Sequence, residues 1–255
     1  MAGTVLSERR DGVLIVTLNR PEARNAIDLE TAVAIAEALE QLDRDDAVAV
    51  GVLTGAGKGF SAGMDLKAFA AGGPAPWLED RGFAGIARRS SRKPLIAAVE
   101  GFALAGGFEI VLACDLIVAA RGAQFGIPEV QRSLVAAGGA LLRLPRRIPY
   151  HVAMELALTG EPIDSERAAA LGLVNRVCEP GGALAAAIEL AESVRTGGPV
   201  ALIAAKQILE EQWDWPSQEM WERQAVIADP VFSSEDAREG AQAFAEKRNA
   251  VWRGR

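Results

Sequence analysis

Apolar residues form two short runs near the start of the chain, with a helical pattern between them. Residues Val13 to Leu18 form a run rich in β-branched side chains that stops at Asn19-Arg20-Pro21, which predicts a strand followed by a turn. Asp28 is a predicted N-cap, because apolar residues recur behind it at helical spacing. These residues are Leu29, Ala32, Val33, Ala36, Leu39 and Leu42. Residues Val48 to Leu53 predict a second buried strand.

The alternation of strands and helices continues through the middle of the chain and stops near Val177. Residues Leu95 to Val99 and Leu116 to Ala119 predict strands, and a helix is expected to begin near Ala105. Beyond Pro180-Gly181-Gly182 the pattern is almost purely helical. The predicted helices span residues 183–196, 199–213, 217–228 and 234–248.

The helical end of the chain also differs in composition. It holds four tryptophans, at Trp213, Trp215, Trp221 and Trp252. Aromatic residues on terminal helices usually pack on another surface, either the core of the same chain or a neighbouring subunit. We therefore predict an α/β core over residues 1–180, which holds the functional site. Residues 181–255 are predicted to form a helical region for oligomerisation and pocket closure.

Charge and composition disfavour several classes of function. The formal net charge of −7 argues against nucleic-acid binding, since polyanion binding needs a basic surface. The charged segment from Glu8 to Asp11 comes too early for a signal peptide, and no apolar run reaches membrane-spanning length. Cys114 and Cys178 lie in apolar surroundings and are expected to be free thiols. We expect a cytoplasmic protein with no membrane partner and no metal cluster.

Two glutamates stand in segments that a simple apolar core does not explain. Glu109 follows Gly106-Gly107-Phe108 and precedes the apolar run Ile110 to Ala113, while Glu129 follows Pro128. Burying a carboxylate costs free energy unless the group is paired, protonated or used in chemistry. Two such groups facing one cleft would supply a general acid and a general base.

The glycine-rich loop from Gly55 to Gly63 follows a predicted strand, which is also the setting of phosphate-binding loops. It lacks the terminal Gly-Lys-Ser/Thr of a P-loop, and its glycine spacing does not match G-x-G-x-x-G. Glycine also lets a backbone N–H approach a ligand oxygen without obstruction. Met64, directly after Gly63, is therefore a candidate donor at the start of a short helix, and Asp65 is expected to cap that helix.

Gly106 is a second candidate donor because it lies at a predicted strand-to-helix junction. Free N–H groups and the positive end of the helix dipole coincide at such a junction. Taken alone, the glycines are equally well explained by close helix packing, and Glu109 by helix capping. Two donors beside two carboxylates favour a site that polarises a carbonyl and moves protons at the adjacent carbons. A thioester suits this chemistry, because its α-protons become more acidic once its oxygen is held.

Several motifs together resemble those of the enoyl-CoA hydratase/isomerase (crotonase) superfamily, over essentially the full chain. The matching segments are 18–26, 60–67, 93–109, 123–129, 158–160 and 170–175. The resemblance implies an α/β fold, the crotonase (ClpP-like) spiral of ββα repeats. It also implies that the C-terminal helices mediate trimerisation, often as a dimer of trimers.

The resemblance further implies an acyl-CoA substrate, with coenzyme A as part of that substrate and no separate cofactor or metal. It places the two oxyanion-hole amides on Met64 and Gly106, and the two hydratase glutamates on Glu109 and Glu129. Water would add across a 2-enoyl-CoA double bond, or be removed from the product. We assign the water to Glu109 and the C2 proton to Glu129.

The family's substrate-binding positions fall in two segments near the start of the chain and at one lysine near its end. The implied residues are Ala23, Arg24, Ala26, Ala62, Asp65, Leu66 and Lys247. Lys247 would reach the CoA phosphate of a neighbouring subunit.

Two residues depart from the family pattern and are expected to reshape the acyl pocket. They are Phe108, where a smaller residue is frequent, and Ala136, where proline is common. Residues 233–252 also resemble carnitinyl-CoA dehydratases, which run the same chemistry in reverse. Two alternatives stay open: a Δ3-Δ2-enoyl-CoA isomerase, which needs one carboxylate, and a non-catalytic acyl-CoA-binding protein. The single histidine, His151, is expected to be structural.

Overall fold

The structure is a computed structural model that describes residues 3–255, which form strands, α-helices and three short 3-10 helices. The strands are β1 Val5–Arg10, β2 Val13–Leu18, β3 Val50–Gly55, β4 Trp77–Leu78, β5 Gly82–Phe83, β6 Leu95–Val99, β7 Phe102–Leu104, β8 Leu116–Ala120, β9 Gln124–Gly126, β10 Ile163–Asp164 and β11 Arg176–Cys178. The α-helices are α1 Leu29–Arg44, α2 Leu66–Ala70, α3 Gly106–Leu112, α4 Ala140–Arg147, α5 Tyr150–Thr159, α6 Ser165–Ala170, α7 Ala183–Arg195, α8 Pro199–Glu211, α9 Met220–Phe232 and α10 Glu235–Glu246. The 3-10 helices are Pro21–Ala23, Pro128–Arg132 and Gln212–Asp214.

A six-stranded sheet forms the centre of the chain, with the strand order β1-β2-β3-β6-β8-β11. Strand β1 pairs antiparallel with β2, and the other neighbours are parallel. Parallel strands covered on both faces are apolar along their whole length. Strand β6 has this property, and β2 departs from it only at Thr17; both strands occupy the residues that the sequence predicted.

The two faces of this sheet belong to two separate apolar clusters. Along β2, Leu14 and Val16 point into the larger cluster, whereas Val13 and Ile15 point into the smaller one. Helix α7 covers the smaller cluster with small side chains at helical spacing, which are Ala183, Ala187 and Ala191. Helix α7 therefore packs in the sheet's core, although it follows the composition shift at residues 180–182.

A second sheet of three strands, ordered β10-β9-β7, lies beside the first. Strands β6 and β7 precede α3, and strands β8 and β9 repeat this arrangement, with the first strand of each pair in the large sheet. Strands β7 and β9 run parallel, with Leu104 opposite Gly126. The segments that follow Leu104 and Gly126 therefore leave the small sheet side by side.

The predicted helices and strands agree with the structure, apart from details of their ends. Asp28 caps α1 by accepting a hydrogen bond from the Thr31 amide at 2.9 Å, as predicted. Val33, predicted on the apolar stripe of α1, is half-exposed, and Ile35 is buried in the core instead. Strand β3 begins two residues later than predicted, at Val50. The four C-terminal helices lie within the predicted ranges or within four residues of them.

The segment between α2 and β6 holds a small hairpin that the sequence did not predict. Strands β4 and β5 pair antiparallel, with Trp77 opposite Phe83. Their rings lie 4.9 Å apart, and the Phe83 side chain is buried. Across residues 3–255, no helix combines the length and the apolar character that crossing a membrane requires.

Candidate active site

Two backbone amides converge where the glycine-rich loop meets the start of α3. A Cβ atom placed on Gly63 would lie 2.6 Å from the Gly106 amide nitrogen. Gly63 also has a left-handed φ of 89°, so both its conformation and its surroundings favour glycine. Among the hydrogen bonds within residues 3–255, neither the Met64 nor the Gly106 amide donates to another protein group. Both amides are therefore available to a ligand.

A short chain of hydrogen bonds fixes the turn that carries Met64. The Gly63 amide donates to the Ser61 hydroxyl at 3.1 Å, and this hydroxyl donates to the Asn25 carbonyl at 2.7 Å. Asn25 is buried, and its side-chain amide donates to the carbonyls of Ala56 and Gly59. The loop thus has few alternative conformations, which fits a preorganised donor.

The start of α3 is also built around close backbone packing. Ala105, the residue before the helix, has an unusual φ of 52° and ψ of −131°, and its amide donates to the Gly126 carbonyl at 2.9 Å. A Cβ on Gly106 would overlap the Phe83 ring, and one on Gly107 would overlap the Ser61 carbonyl. Both glycines are therefore required by packing, while the free Gly106 amide keeps the role of donor open.

Glu109 is buried on the first turn of α3, as the sequence indicated. Its side chain is 3% exposed, and its Oε1 accepts the Ala140 amide at 3.1 Å. The turn from Gly138 to Ala140 wraps around the carboxylate, because a Cβ on Gly138 would lie 2.5 Å from Glu109 Oε2. Burial raises the pKa of Glu109, while the amides of residues 138–140 and the Arg143 guanidinium oppose this rise.

Glu129 lies in the 3-10 helix that follows β9, next to Glu109. Its Oε2 is buried and, within the described residues, has no hydrogen-bond partner. Burial raises the pKa of Glu129 to about 7, and the Glu109 carboxylate adds to the rise, while the residue's own amide and Arg132 oppose it. The parallel pairing of β7 and β9 explains why two residues twenty positions apart lie close enough for their charges to interact.

The two carboxyl groups therefore have different environments. Glu109 has an amide donor and a nearby cation, both of which favour its ionised form. The buried Oε2 of Glu129 has no hydrogen-bond partner among the described residues, and burial together with the Glu109 charge outweighs the effects of its own amide and of Arg132, which favours the protonated form of Glu129. Such a pair offers one base and one acid near neutral pH. Because the two groups interact, their titration belongs to the pair.

Comparison with known proteins identifies the family. The sequence profile of the enoyl-CoA hydratase/isomerase family matches residues 8–255. The chain belongs to the enoyl-CoA hydratase/isomerase family. It is 43% identical over 249 residues to an enoyl-CoA hydratase of Mycobacterium tuberculosis, covering 95% of this chain and 94% of that protein. It is 42% identical over 255 residues to a carnitinyl-CoA dehydratase of Salmonella heidelberg, covering 97% of both.

Solved structures of this family share the fold in full. The crystal structure of an enoyl-CoA hydratase from Mycobacterium marinum matches with a TM-score of 0.97 and 55% sequence identity, and both chains are covered completely. The crystal structure of a carnitinyl-CoA hydratase from Mycobacterium avium matches with a TM-score of 0.80 and 40% identity, again with full coverage. The predicted family and the predicted crotonase fold are confirmed.

Within this member of the enoyl-CoA hydratase/isomerase family, the first predicted substrate-binding segment forms a tight loop. Arg24 and Asn25 both have left-handed φ values, 54° and 52°. The Ala62 amide donates to the Arg24 carbonyl at 3.0 Å, which brings both predicted segments together. Ala23 ends the preceding 3-10 helix, and the Ala26 amide donates to the Ala23 carbonyl at 3.1 Å.

The second predicted segment continues into α2. Asp65 caps this helix by accepting the Lys67 and Ala68 amides at 3.1 Å each, as predicted. Leu66 is exposed at the first helical position. Lys247 is exposed at the end of α10, and no hydrogen bond or ion pair among residues 3–255 links its side chain to the loop at residues 23–26. Substrate binding by these residues stays a prediction.

The two residues that depart from the family pattern are both buried. The Phe108 ring is buried in the larger apolar cluster, with its centroid 5.4 Å from that of Phe125. Ala136 is buried as well. We therefore find no support for the expectation that Phe108 reshapes an acyl pocket. His151 is exposed on α5 with its ring 5.7 Å from Tyr150, outside the cluster of site residues.

Sequence reasoning missed three side chains that shape the site. Phe83 contacts the start of α3 and the Gly138 turn, Arg143 lies behind Glu109, and Arg20 joins the two substrate-binding segments. Arg20 pairs with Asp28 at 3.0 Å and with Asp65 at 3.1 Å. Arg143 stands near Arg146 and Arg147 in a basic cluster, a pattern that usually marks a solvated surface, and Phe83 lies in a segment without periodicity. Arg20 lies in the predicted turn Asn19-Arg20-Pro21 and in the matching segment 18–26, but neither signal assigned it a role.

Proposed function

We propose that this chain catalyses the reversible addition of water to 2-enoyl-CoA thioesters. The observation that carries the proposal is the pair of carboxyl groups in unequal environments beside two free backbone amides: Glu109 is buried, and one oxygen of the half-buried Glu129 is buried without a partner among the described residues. The names of the relatives support it, since they are an enoyl-CoA hydratase and a carnitinyl-CoA dehydratase. Hydration and dehydration are the two directions of one reaction type.

The Met64 and Gly106 amides would hold the thioester oxygen. Backbone donors aimed at one point stabilise the negative charge that develops on that oxygen in an enolate-like transition state. Gly63 supports this role, because any side chain at that position would crowd the Gly106 amide. The thioester carbonyl then withdraws electrons from C3, which becomes the position that water attacks.

The two glutamates would move the protons. Ionised Glu109 takes a proton from water as the oxygen of that water bonds to C3, and the C2–C3 double-bond electrons move toward C2 and the thioester oxygen. Protonated Glu129 gives its proton to C2, which completes the 3-hydroxyacyl product. The pair carries one proton before and after the step, on Glu129 at first and on Glu109 at the end. Transfer of this proton back to Glu129 through water restores the starting state.

Coenzyme A would bind along the loop at residues 23–26 and the segment at residues 62–66. The hydrogen bond from the Ala62 amide to the Arg24 carbonyl makes one continuous surface of these two segments. The Met64 amide lies within the second segment, so this surface leads directly to the proposed carbonyl site. Lys247 would contribute from a neighbouring subunit.

The decisive experiment follows loss of the conjugated thioester absorbance on crotonyl-CoA and on longer 2-enoyl-CoAs. We expect hydration by the wild type, and a loss of at least about 10²-fold in kcat for both Glu109→Gln and Glu129→Gln. Binding of acyl-CoA without turnover at any chain length would favour the non-catalytic alternative. Migration of the double bond in a 3-enoyl-CoA that requires only one glutamate would favour the isomerase.

We also propose that the chain assembles as a homotrimer or a dimer of trimers through its C-terminal helices. Large apolar side chains are exposed along α8 to α10 and the segments that join them. They include Leu209, Trp213, Trp221, Val226, Phe232 and Phe244. Exposed apolar residues on this scale are typical of a subunit interface.

A further inference from the structure

We infer that Arg143 is a positioning residue. It holds the turn of residues 138–140 against the Glu109 carboxylate and so gives Glu109 a different environment from Glu129. The inference rests on the proposed function, because it assigns the base role to Glu109. Arg143 itself does not touch the proposed positions of the reacting atoms. Its effect would pass through the turn and through its charge.

The guanidinium of Arg143 occupies a space that only glycine leaves free. Its Nη2 donates to the Ala87 carbonyl at 2.6 Å. A Cβ on Gly139 would overlap Nη1 of the same guanidinium. Gly139 also has a left-handed φ of 110° and is the residue before α4. The conformation of the turn and the position of Arg143 therefore depend on each other.

The same turn forms the contact surface of Glu109. The Ala140 amide donates to Glu109 Oε1 at 3.1 Å, and Gly138 packs against Oε2. Gly139, the residue between them, packs against Arg143. A shift of the guanidinium would thus move the amide that stabilises the ionised carboxylate.

The groups around Glu109 differ from those around Glu129. The groups that face Arg143 are Glu109 on α3, Cys114 after α3, Arg147 on its own helix and Glu210 on α8. Arg143 is the cation that acts on Glu109, and Glu129 faces Glu109 and the exposed Arg132. Each carboxylate thus has a cation nearby, but only the Glu109 carboxylate also accepts the Ala140 amide, whereas the buried Glu129 Oε2 has no partner among the described residues, so the shared proton prefers Glu129. This preference is the one that hydration requires.

Arg143 also connects Glu109 to the donor side of the site. Ala87, its hydrogen-bond partner, follows the hairpin of β4 and β5. In that hairpin the Phe83 ring packs against Gly106 and against Gly138. The donor at Gly106 and the contact surface of Glu109 are therefore held by one set of contacts.

The test compares Arg143→Gln and Arg143→Lys with the wild type in crotonyl-CoA hydration across pH. We expect Arg143→Gln to lower kcat by about 10²-fold with KM changed by less than about threefold, because proton transfer and not binding is affected. The acid limb of its pH profile should move to higher pH, since Glu109 would protonate more readily. Arg143→Lys should restore part of kcat and part of the shift.

Gly139→Ala provides an independent variant that leaves Arg143 in the sequence. Its Cβ should displace the guanidinium and move the acid limb in the same direction. Gly172→Ala is the matched control, because Gly172 has a similar left-handed φ of 80° and open space around it. Arg146→Gln is the charge control, since Arg146 is exposed on the same helix and pairs with Asp214. Both controls should keep the wild-type profile.

The inference fails independently of the proposed function. If Arg143→Gln and Gly139→Ala keep the wild-type kcat and pH profile while both glutamate variants are inactive, the role of Arg143 is wrong and the function stands. If the wild type hydrates no enoyl-CoA, the proposed function fails, and ¹³C NMR titration of the glutamate carboxyl carbons still tests Arg143. An unchanged Glu109 titration in Arg143→Gln and Gly139→Ala would overturn the inference.

Discussion

At the scale of single residues, glycine has two separable roles in the candidate site. Gly63 and Gly106 lie where two backbones approach closely, so their lack of a side chain matters. Other glycines with left-handed φ, such as Gly72, have open space around them. Only the first kind controls the position of the proposed donors, and substitution by alanine separates the two effects.

We predict that Gly63→Ala lowers kcat of enoyl-CoA hydration by about 10²-fold or more, because its Cβ would push the Gly106 amide out of place. The matched control is Gly72→Ala, which imposes the same kind of backbone strain, worth about 1 kcal/mol, without a steric clash. Steady-state kinetics and thermal unfolding of both variants measure the difference. Equal kinetic effects of the two substitutions would contradict the prediction.

The pKa of Glu129 predicts the pH dependence of activity. The pair must carry one proton in either direction of the reaction, and its last proton leaves as pH rises through about 7. We therefore expect kcat/KM for hydration and for dehydration to fall together above about pH 7. Initial rates of hydration and of dehydration, measured between pH 5 and pH 9, test this expectation. A kcat/KM that stays constant or rises between pH 7 and pH 9 would contradict the expectation.

The same shift predicts how stability changes with pH. Because folding raises the pKa of Glu129 to about 7, the folded state binds its proton more tightly than the unfolded state. The contribution to stability is present below the ordinary carboxyl pKa and is lost as pH rises through about 7. Urea unfolding should therefore show that Glu129→Gln gains stability relative to the wild type between pH 5 and pH 8. A constant difference between the two proteins would contradict the shift.

Some of these residues were visible in the sequence and others were not, for physical reasons. Glu109 and Glu129 were detectable because a carboxylate beside apolar residues is costly and therefore conspicuous. Arg143 was not, because an arginine on a helix is usually solvated, and its burial depends on Gly139 and Ala87. The proximity of the two glutamates was likewise unpredictable without the pairing of β7 with β9.

At the scale of secondary structure elements, helix caps carry the geometry of the substrate-binding segments. Asp28 caps α1 and Asp65 caps α2, and Arg20 pairs with both. Arg20 also donates to the Ala26 carbonyl at 2.6 Å. One side chain therefore orients two helix starts and the loop between the predicted CoA-binding residues.

We predict that Arg20→Gln lowers the free energy of unfolding by about 2 kcal/mol, between the values for exposed and buried ion pairs. It should also raise KM for enoyl-CoA more than it lowers kcat. Asp65→Asn should cost less stability, because asparagine still caps a helix. The double variant should be less destabilised than the sum of the single variants by about 0.5 kcal/mol or more. Strict additivity in urea unfolding would mean that the Arg20–Asp65 pair contributes nothing.

Element prediction succeeded where periodicity was long enough and failed where it was not. Strand β6 is fully apolar, β2 is apolar except at Thr17, and α1 has four turns, so pattern and capping identified them. The hairpin of β4 and β5 has two residues in each strand, too few for any period, although it buries Phe83. Its position is set by packing against Gly106 and Gly138, which no local pattern encodes.

At the scale of the whole molecule, the C-terminal helices differ in how much of their apolar surface is buried by the rest of the chain. Helix α7 is held by the sheet, through Ala187 and Ala191. By contrast, Phe232 on α9 and Phe244 on α10 are at least 80% exposed. Trp252 packs within the chain, since its indole N–H donates to the Thr196 carbonyl at 3.0 Å. Among the C-terminal helices, the large exposed apolar residues therefore lie after α7, and these residues are the basis of the assembly prediction.

We predict that the wild type elutes as a multiple of three 26.9 kDa chains, and that Phe232→Ser combined with Phe244→Ser shifts it toward the monomer. Each large apolar side chain buried at an interface contributes about 1.5 to 3 kcal/mol, so two losses per chain should raise the dissociation constant by at least 10²-fold. Size-exclusion chromatography with light scattering over a dilution series measures the shift. Leu6→Ser is the control, because Leu6 is exposed on β1, outside the C-terminal helices. A wild type that stays monomeric at every concentration would contradict the prediction, and a double variant that dissociates no more than the control would place the interface elsewhere.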